Sequence, residues 1–185
     1  ASKSGITGCV PALNYRTIDE FKKAIIETKK KSYGPIGVNL IVNKFNTKNS
    51  EQLKVCIDNK VDYIITSLGN PLTVINNCKI HGIKVFCDVV DLKYAKKVEK
   101  LGADAIIAVN NKAGGHLGPM SPEKLIPLLV KNCKIPIISA GGVSSYKELK
   151  KILKLGASGA SIGTPFIATY ESDVSQEYKQ AIVDY

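Results

Sequence analysis

Pro136-Ile137-Ile138-Ser139-Ala140-Gly141-Gly142-Val143 and, one strand later, Ser161-Ile162-Gly163-Thr164-Pro165 are the stretches on which the fold turns. A glycine turn directly after a β-branched run leaves backbone N–H groups that a ligand can approach, because no Cβ stands over them. A doubly wound nucleotide fold carries such glycines after its first strand. Here they gather late: Gly114, Gly115 and Gly118 after one strand, Gly141 and Gly142 after the next, Gly163 after a third. A (β/α)8 barrel holds phosphate in the loops after its seventh and eighth strands, so late placement favours the barrel.

Working outward, short apolar runs at 6–10, 36–42, 61–66, 84–89, 105–109, 135–139 and 159–163 alternate with amphipathic stretches at 18–30, 50–59, 72–81, 92–101, 122–132 and 145–155. Runs such as Ala105-Ile106-Ile107-Ala108-Val109 are apolar on both faces, as strands of a helix-covered parallel sheet must be. Thr17, Asn49, Asp91, Ser121 and Ser144 stand where helix N-caps are expected. A weak repeat joins helix ends to strands: Lys60-Val61-Asp62-Tyr63, Leu101-Gly102-Ala103-Asp104-Ala105 and Leu155-Gly156-Ala157-Ser158-Gly159. Gly102 and Gly156 occupy the position at which a left-handed residue ends a helix. Unbroken βα repetition predicts one α/β domain over residues 1–185, a (β/α)8 barrel. Seven strands are one too few, which predicts that a first βα unit is missing from this chain; the sequence breaks off mid-helix at Asp184-Tyr185, a sign that a C-terminal extension is missing too. The two strands bordering that gap would then have unpaired edges, a route to a homo-oligomer.

With 185 residues, 44% hydrophobic and 23% charged, the chain can build a core without disulfides or structural metal. No apolar run is long enough to span a bilayer, and no apolar signal segment opens the sequence. The five cysteines form no Cys-x-x-Cys pair, which argues against a disulfide framework or zinc knuckle and fits reduced thiols in a cytoplasm. A formal charge of +10 invites a nucleic-acid reading. Arg16 is the single arginine, however, aromatics are 6%, and the lysines recur at helical spacing (Lys93, Lys96, Lys97, Lys100), as on solvated faces. A small-molecule ligand is expected instead, with no nucleic acid, membrane or metal.

Ala113-Gly114-Gly115-His116-Leu117-Gly118, then Ala140-Gly141-Gly142-Val143, then Gly163-Thr164-Pro165-Phe166-Ile167-Ala168-Thr169-Tyr170-Glu171-Ser172, with Gly37-Val38-Asn39-Leu40 upstream, closely resemble the nitronate monooxygenase family, formerly called 2-nitropropane dioxygenases. That resemblance implies an FMN enzyme on a (β/α)8 barrel that oxidises nitronates or nitroalkanes with molecular oxygen. Flavin-dependent enoyl-acyl-carrier-protein reductases share the signatures, so an NAD(P)H-dependent reductase of an enoyl thioester or quinone is the alternative. A non-redox phosphate-binding barrel and an inactive fragment stand beside them. Where the family more often has Gln-Gly-x-Glu, this chain has Val109, Asn110, Asn111 and Lys112, losing an acid and gaining a cation.

By the resemblance, Gly141, Gly142, Gly163 and Thr164 bind the FMN phosphate, Asn39 lies near the flavin ring, and His116 is the catalytic base. An imidazole suits that role because it titrates near neutral pH. The plainer alternative for His116 is a ring that satisfies a loop carbonyl, and for the glycines a tight turn. Lys84 and Ser67, near strand ends, are further candidates for the same mouth, Lys84 as a cofactor ligand, with Asp88 behind them. His81, before Gly82 at a helix C-terminus, is expected only to complement the helix dipole. Glu171-Ser172 are expected to cap a helix over 178–183.

Overall fold

A computed structural model describes residues 4–184. Among them seven strands and eight α-helices alternate: β1 (Gly8–Pro11), α1 (Ile18–Lys31), β2 (Ile36–Ile41), α2 (Asn49–Asp58), β3 (Tyr63–Ser67), α3 (Leu72–Ile80), β4 (Lys84–Val89), α4 (Leu92–Leu101), β5 (Ala105–Val109), α5 (Pro122–Asn132), β6 (Ile137–Ala140), α6 (Tyr146–Lys154), β7 (Gly159–Ser161), α7 (Thr164–Ile167) and α8 (Gln176–Asp184). The strands are hydrogen-bonded in chain order, β1 to β7. The β1–β2, β2–β3, β3–β4 and β6–β7 ladders are parallel. Parallel strands in chain order, each followed by a helix, are the (β/α)8-barrel pattern. No helix among the described residues is long and apolar enough to cross a membrane.

The chain packs as two compact units, residues 1–88 with 97–106 and residues 89–96 with 107–185. In the first, Phe21, Ile25, Val38, Leu40, Ile64, Val74 and Val85 are buried, each worth roughly 1.5–3 kcal/mol of apolar burial. Cys56, Cys78 and Cys87 lie in the same core as free thiols. Gly37 is required there, since a Cβ on it would stand 2.1 Å from the Tyr63 ring. Tyr63 stacks on Phe86, with centroids 5.1 Å apart, and its hydroxyl donates to the Gly8 carbonyl at 2.9 Å. In the second unit Ile126, Val143, Ile152 and Ala157 form the core, with Leu149, Leu155 and Ala160 packed against it.

The sequence repeat has a physical meaning. Asp62 N–H donates to the Ile36 carbonyl at 2.9 Å, Asp104 N–H to Val85 at 2.8 Å and Ser158 N–H to Ile137 at 2.7 Å. Each helix-to-strand joint thus anchors the start of the preceding strand. The two aspartates add a return bond, their carboxylates accepting from Ile36 N–H at 2.8 Å and Val85 N–H at 2.9 Å. Because Asp62 is engaged this way, β3 begins at Tyr63 rather than at 61. Gly102 and Gly156 take φ of 98° and 100°, as a left-handed helix end requires.

Several boundaries differ from the sequence expectation. β1 runs over Gly8–Pro11, because Pro11 still pairs in register with Asn39. β7 stops at Ser161, since its partner β6 ends at Ala140 and Gly141 turns the chain away. Thr17 closes a full capping box with Glu20, and Asp91 accepts from Tyr94 N–H at 2.7 Å. On α6 the box is made by Ser145 and Glu148, while Ser144 also donates to Glu148. Asn49 is the first residue of α2 rather than its cap. The α8 cap is Ser175, which accepts from Tyr178 N–H at 3.3 Å, and not Glu171-Ser172.

Candidate functional site

In the second unit, three connections gather after β5, β6 and β7. Asn110, directly after β5, is fully buried and ties two of them. Its amide donates to the Gly141 carbonyl at 3.0 Å, and its Oδ1 accepts from Lys112 N–H at 2.8 Å. Its backbone carbonyl accepts from Ala113 and Gly118, which closes the 110–118 loop on itself. A Cβ on Gly141 (φ 109°) would stand 2.4 Å from Ala113 N, and one on Gly114 would stand 2.8 Å from Thr164 Oγ1. The loop after β5 therefore touches the turn after β6 on one side and the start of α7 on the other, with no room for a side chain at either contact.

The backbone N–H groups of Gly141, Gly142, Gly163 and Thr164 find no acceptor among the described residues. Gly141 is half-buried and Gly142, Gly163 and Thr164 are exposed, so these N–H groups are open to an anion from solvent. Lys112 adds charge: its Cδ lies 2.8 Å from where a Gly142 Cβ would stand. His116 is at the exposed tip of the same loop, after Gly115 with its φ of 80°, and its ring makes no hydrogen bond among the described residues. The plainer expectation, a histidine held by a loop carbonyl, is not what the geometry has.

In the first unit, the C-terminal strand ends carry polar side chains. Asn39 Nδ2 donates to Ser67 Oγ at 2.8 Å, and Ser67 Oγ donates to Asp88 Oδ2 at 2.5 Å. Burial pushes the Asp88 carboxyl up to about 6, against the opposing effect of the Ser67 hydrogen bond. Leu68, just after Ser67, holds φ at 58°, a left-handed conformation that costs a branched side chain of order 1–3 kcal/mol. It exists because Gly69 turns against the Val42 carbonyl, which a Cβ would meet at 2.4 Å.

Lys84 is not part of either group. It is the first residue of β4, so it sits at the opposite end of that strand from Asp88, and Asp104 holds its ammonium at 2.8 Å. Sequence reasoning placed it near a strand end without fixing which one. Asn110 was missed as a ligand-loop organiser; its signal was a lone polar residue between an apolar strand and a glycine loop. His81 ends α3 with Nδ1 2.9 Å from the Asn77 carbonyl, a helix-terminus role. No group of three or more metal-ligating side chains occurs among the described residues.

Comparison with known proteins brings these residues under one heading. The chain is 32% identical to (3aS,4S,5R,7aS)-5-hydroxy-7a-methyl-1-oxo-octahydro-1H-indene-4-carboxyl-CoA dehydrogenase of Rhodococcus jostii, over 88% of this chain and 46% of that protein. It is 33% identical to the nitronate monooxygenase of Paraburkholderia phytofirmans, over 71% of this chain and 38% of the relative. The solved structure of FabK from Thermotoga maritima superposes with a TM-score of 0.93 at 35% identity, covering 100% of this chain and 58% of that one. The chain thus spans about half the length of the relatives it matches. The nitronate monooxygenase family profile matches residues 45–185, a stretch that holds the His116 loop, Gly141-Gly142 and Gly163-Thr164, and the chain belongs to that family.

Proposed function

We propose that this chain forms the flavin-binding part of an FMN-dependent oxidoreductase that oxidises nitronates or nitroalkanes with molecular oxygen. The observation that carries this reading is the set of free N–H groups at Gly141, Gly142, Gly163 and Thr164, which fits a phosphate monoester in number, kind and charge. Lys112 reinforces the cradle as a cation beside Gly142. When bound, FMN would supply the two-electron acceptor for the substrate carbon and pass the electrons to oxygen. The residues of this chain do the rest. Gly114 and Gly115 let the loop lie close to Thr164 while His116 projects from its tip, and the imidazole takes the proton from the carbon bearing the nitro group. Asn39, in the first unit, is assigned to the flavin ring by the family resemblance alone. Lys84, held by Asp104, has no part in it.

His116→Asn keeps the size and a hydrogen-bonding edge but removes the base. With a neutral nitroalkane, turnover is expected to fall by roughly 10²–10⁴. With the preformed nitronate, whose proton is already gone, the loss is expected to be much smaller. Equal losses on both substrates would make His116 a binding or structural residue.

The likeness to FabK favours a second reading, an NAD(P)H-dependent flavin reductase acting on an enoyl thioester or quinone. Anaerobic mixing with NADH separates the two: rapid bleaching of the flavin supports the reductase, and its absence supports the oxidase.

A further inference from the structure

The strand ends of the first unit form a directional hydrogen-bond chain. An ionised carboxylate can only accept, so the one proton of the Ser67 hydroxyl points to Asp88 across 2.5 Å. The Ser67 oxygen then has lone pairs to offer and no proton, and it takes an N–H from Asn39 at 2.8 Å. The second Asn39 N–H leans toward the Ile65 carbonyl at 3.5 Å. Asn39 Oδ1 consequently faces away from both and takes no hydrogen bond from the described residues.

We propose that Asp88 is a positioning residue that sets the Asn39 amide through Ser67, so that Oδ1 is presented to a ligand with a ring N–H donor, and that protonation of Asp88 releases that setting. A protonated Asp88 donates to Ser67 Oγ, which frees the serine proton to meet Oδ1 and lets the amide turn. The identity of the donor as the imide N–H of a flavin rests on the flavin reading above; the chain of hydrogen bonds does not. The ionisable groups coupled to Asp88 are two thiols. Although Cys9 of β1 is exposed as a residue, burial of its sulfur and the Asp88 charge push its thiol up to about 12, and burial pushes Cys87 of β4 up to about 11. Both stay neutral while Asp88, at about 6, titrates. From β2 and β3 the facing groups are Asn39 and Ser67, and β5 has no ionisable side chain.

The test is the side-chain amide of Asn39, followed by NMR in the ligand-free chain from pH 4 to 8. Its two Nδ2 protons are expected to shift with a single midpoint near that of Asp88, and the shift is expected to vanish in Ser67→Ala and Asp88→Asn. An amide insensitive to pH, or one that still titrates in Ser67→Ala, would overturn the proposal. Should Ser67→Ala fail to fold, the titration of the unsubstituted chain decides alone. Riboflavin and inorganic phosphate then separate this from the flavin reading. Asp88→Asn is expected to weaken riboflavin about tenfold, roughly one hydrogen bond, and leave phosphate unchanged. Equal weakening of both ligands would overturn the positioning role. Failure of riboflavin to bind the unsubstituted chain, with the amide titration intact, supports the relay and removes the flavin.

Discussion

The first unit ends its strands in side chains; the second ends them in bare backbone. Asn39, Ser67 and Asp88 are tied to one another, and the free Asn39 Oδ1 is set by that chain of three residues. Gly141, Gly142, Gly163 and Thr164 offer N–H groups with no side-chain partner; Gly141 is held by Asn110, and Gly141 and Gly142 by contacts too close for a Cβ. Backbone donors cannot rotate or titrate, which suits a ligand of fixed charge such as a phosphate monoester. Side chains can do both, and they suit a ligand whose hydrogen-bonding edge must be distinguished.

The largest effect that would test this contrast is at Gly141. Gly141→Ala puts a Cβ against backbone at 2.4 Å in a conformation with φ of 109°, and a loss of about 2–5 kcal/mol in urea unfolding is expected. Gly163→Ala meets nothing within 4 Å and has an ordinary φ, so its stability is expected to stay within about 0.5 kcal/mol. Similar losses at the two positions would mean that the Gly141 turn is no more constrained than an open loop.

The next effect is electrostatic and has opposite signs in the two units. The Asp88 carboxyl is raised from 3.8 to about 6, so the folded state holds its proton more tightly than the unfolded state. Its contribution is favourable at low pH and is lost as pH rises from about 4 to about 6. Asp88→Asn is therefore expected to stabilise the chain at pH 8 by up to about 3 kcal/mol and to make little difference at pH 4. In the second unit, Glu123 is held down to about 2 by the Lys151 ammonium, and Glu148 to about 2 by hydrogen bonds from Ser144 and Ser145. Their contribution is present above the ordinary carboxylate range and is lost as pH falls from about 4.5 toward 2. Melting temperatures of Glu148→Gln and Asp88→Asn against pH are expected to differ from the parent in opposite directions. Parallel curves would erase the distinction.

The smallest effect concerns what the units share. Thr17 in the first and Ser145 in the second each close a capping box, and alanine at either is expected to cost about 1 kcal/mol in chemical denaturation.

The alternation of apolar runs and amphipathic stretches was enough to place the strands and most helices, because burial on both faces leaves a strand few polar options. Boundaries were set by partners that a linear pattern does not display: Asp62 reaching back to Ile36, or Pro11 finding Asn39. At the candidate site, the glycines were legible because their lack of a side chain is itself the signal. Lys84 shows the limit, since a residue near a strand end in sequence can stand at either end in space, and Asp104 decides which. Asn110 lay hidden because its importance comes from contacts to Gly141 and Lys112 rather than from its type. The short α7 had no periodicity to announce it.

Cys56, Cys78 and Cys87 give the first unit a chemical clock. A thiol reagent needs both access and thiolate, and burial denies it both: it pushes Cys78 up to about 12 and Cys87 to about 11, and raises Cys56 as well. Alkylation at these sulfurs must wait for the chain around them to open. Their modification rates, resolved one by one by peptide mass, would report how often the interior of that unit exchanges with solvent, without any label being introduced.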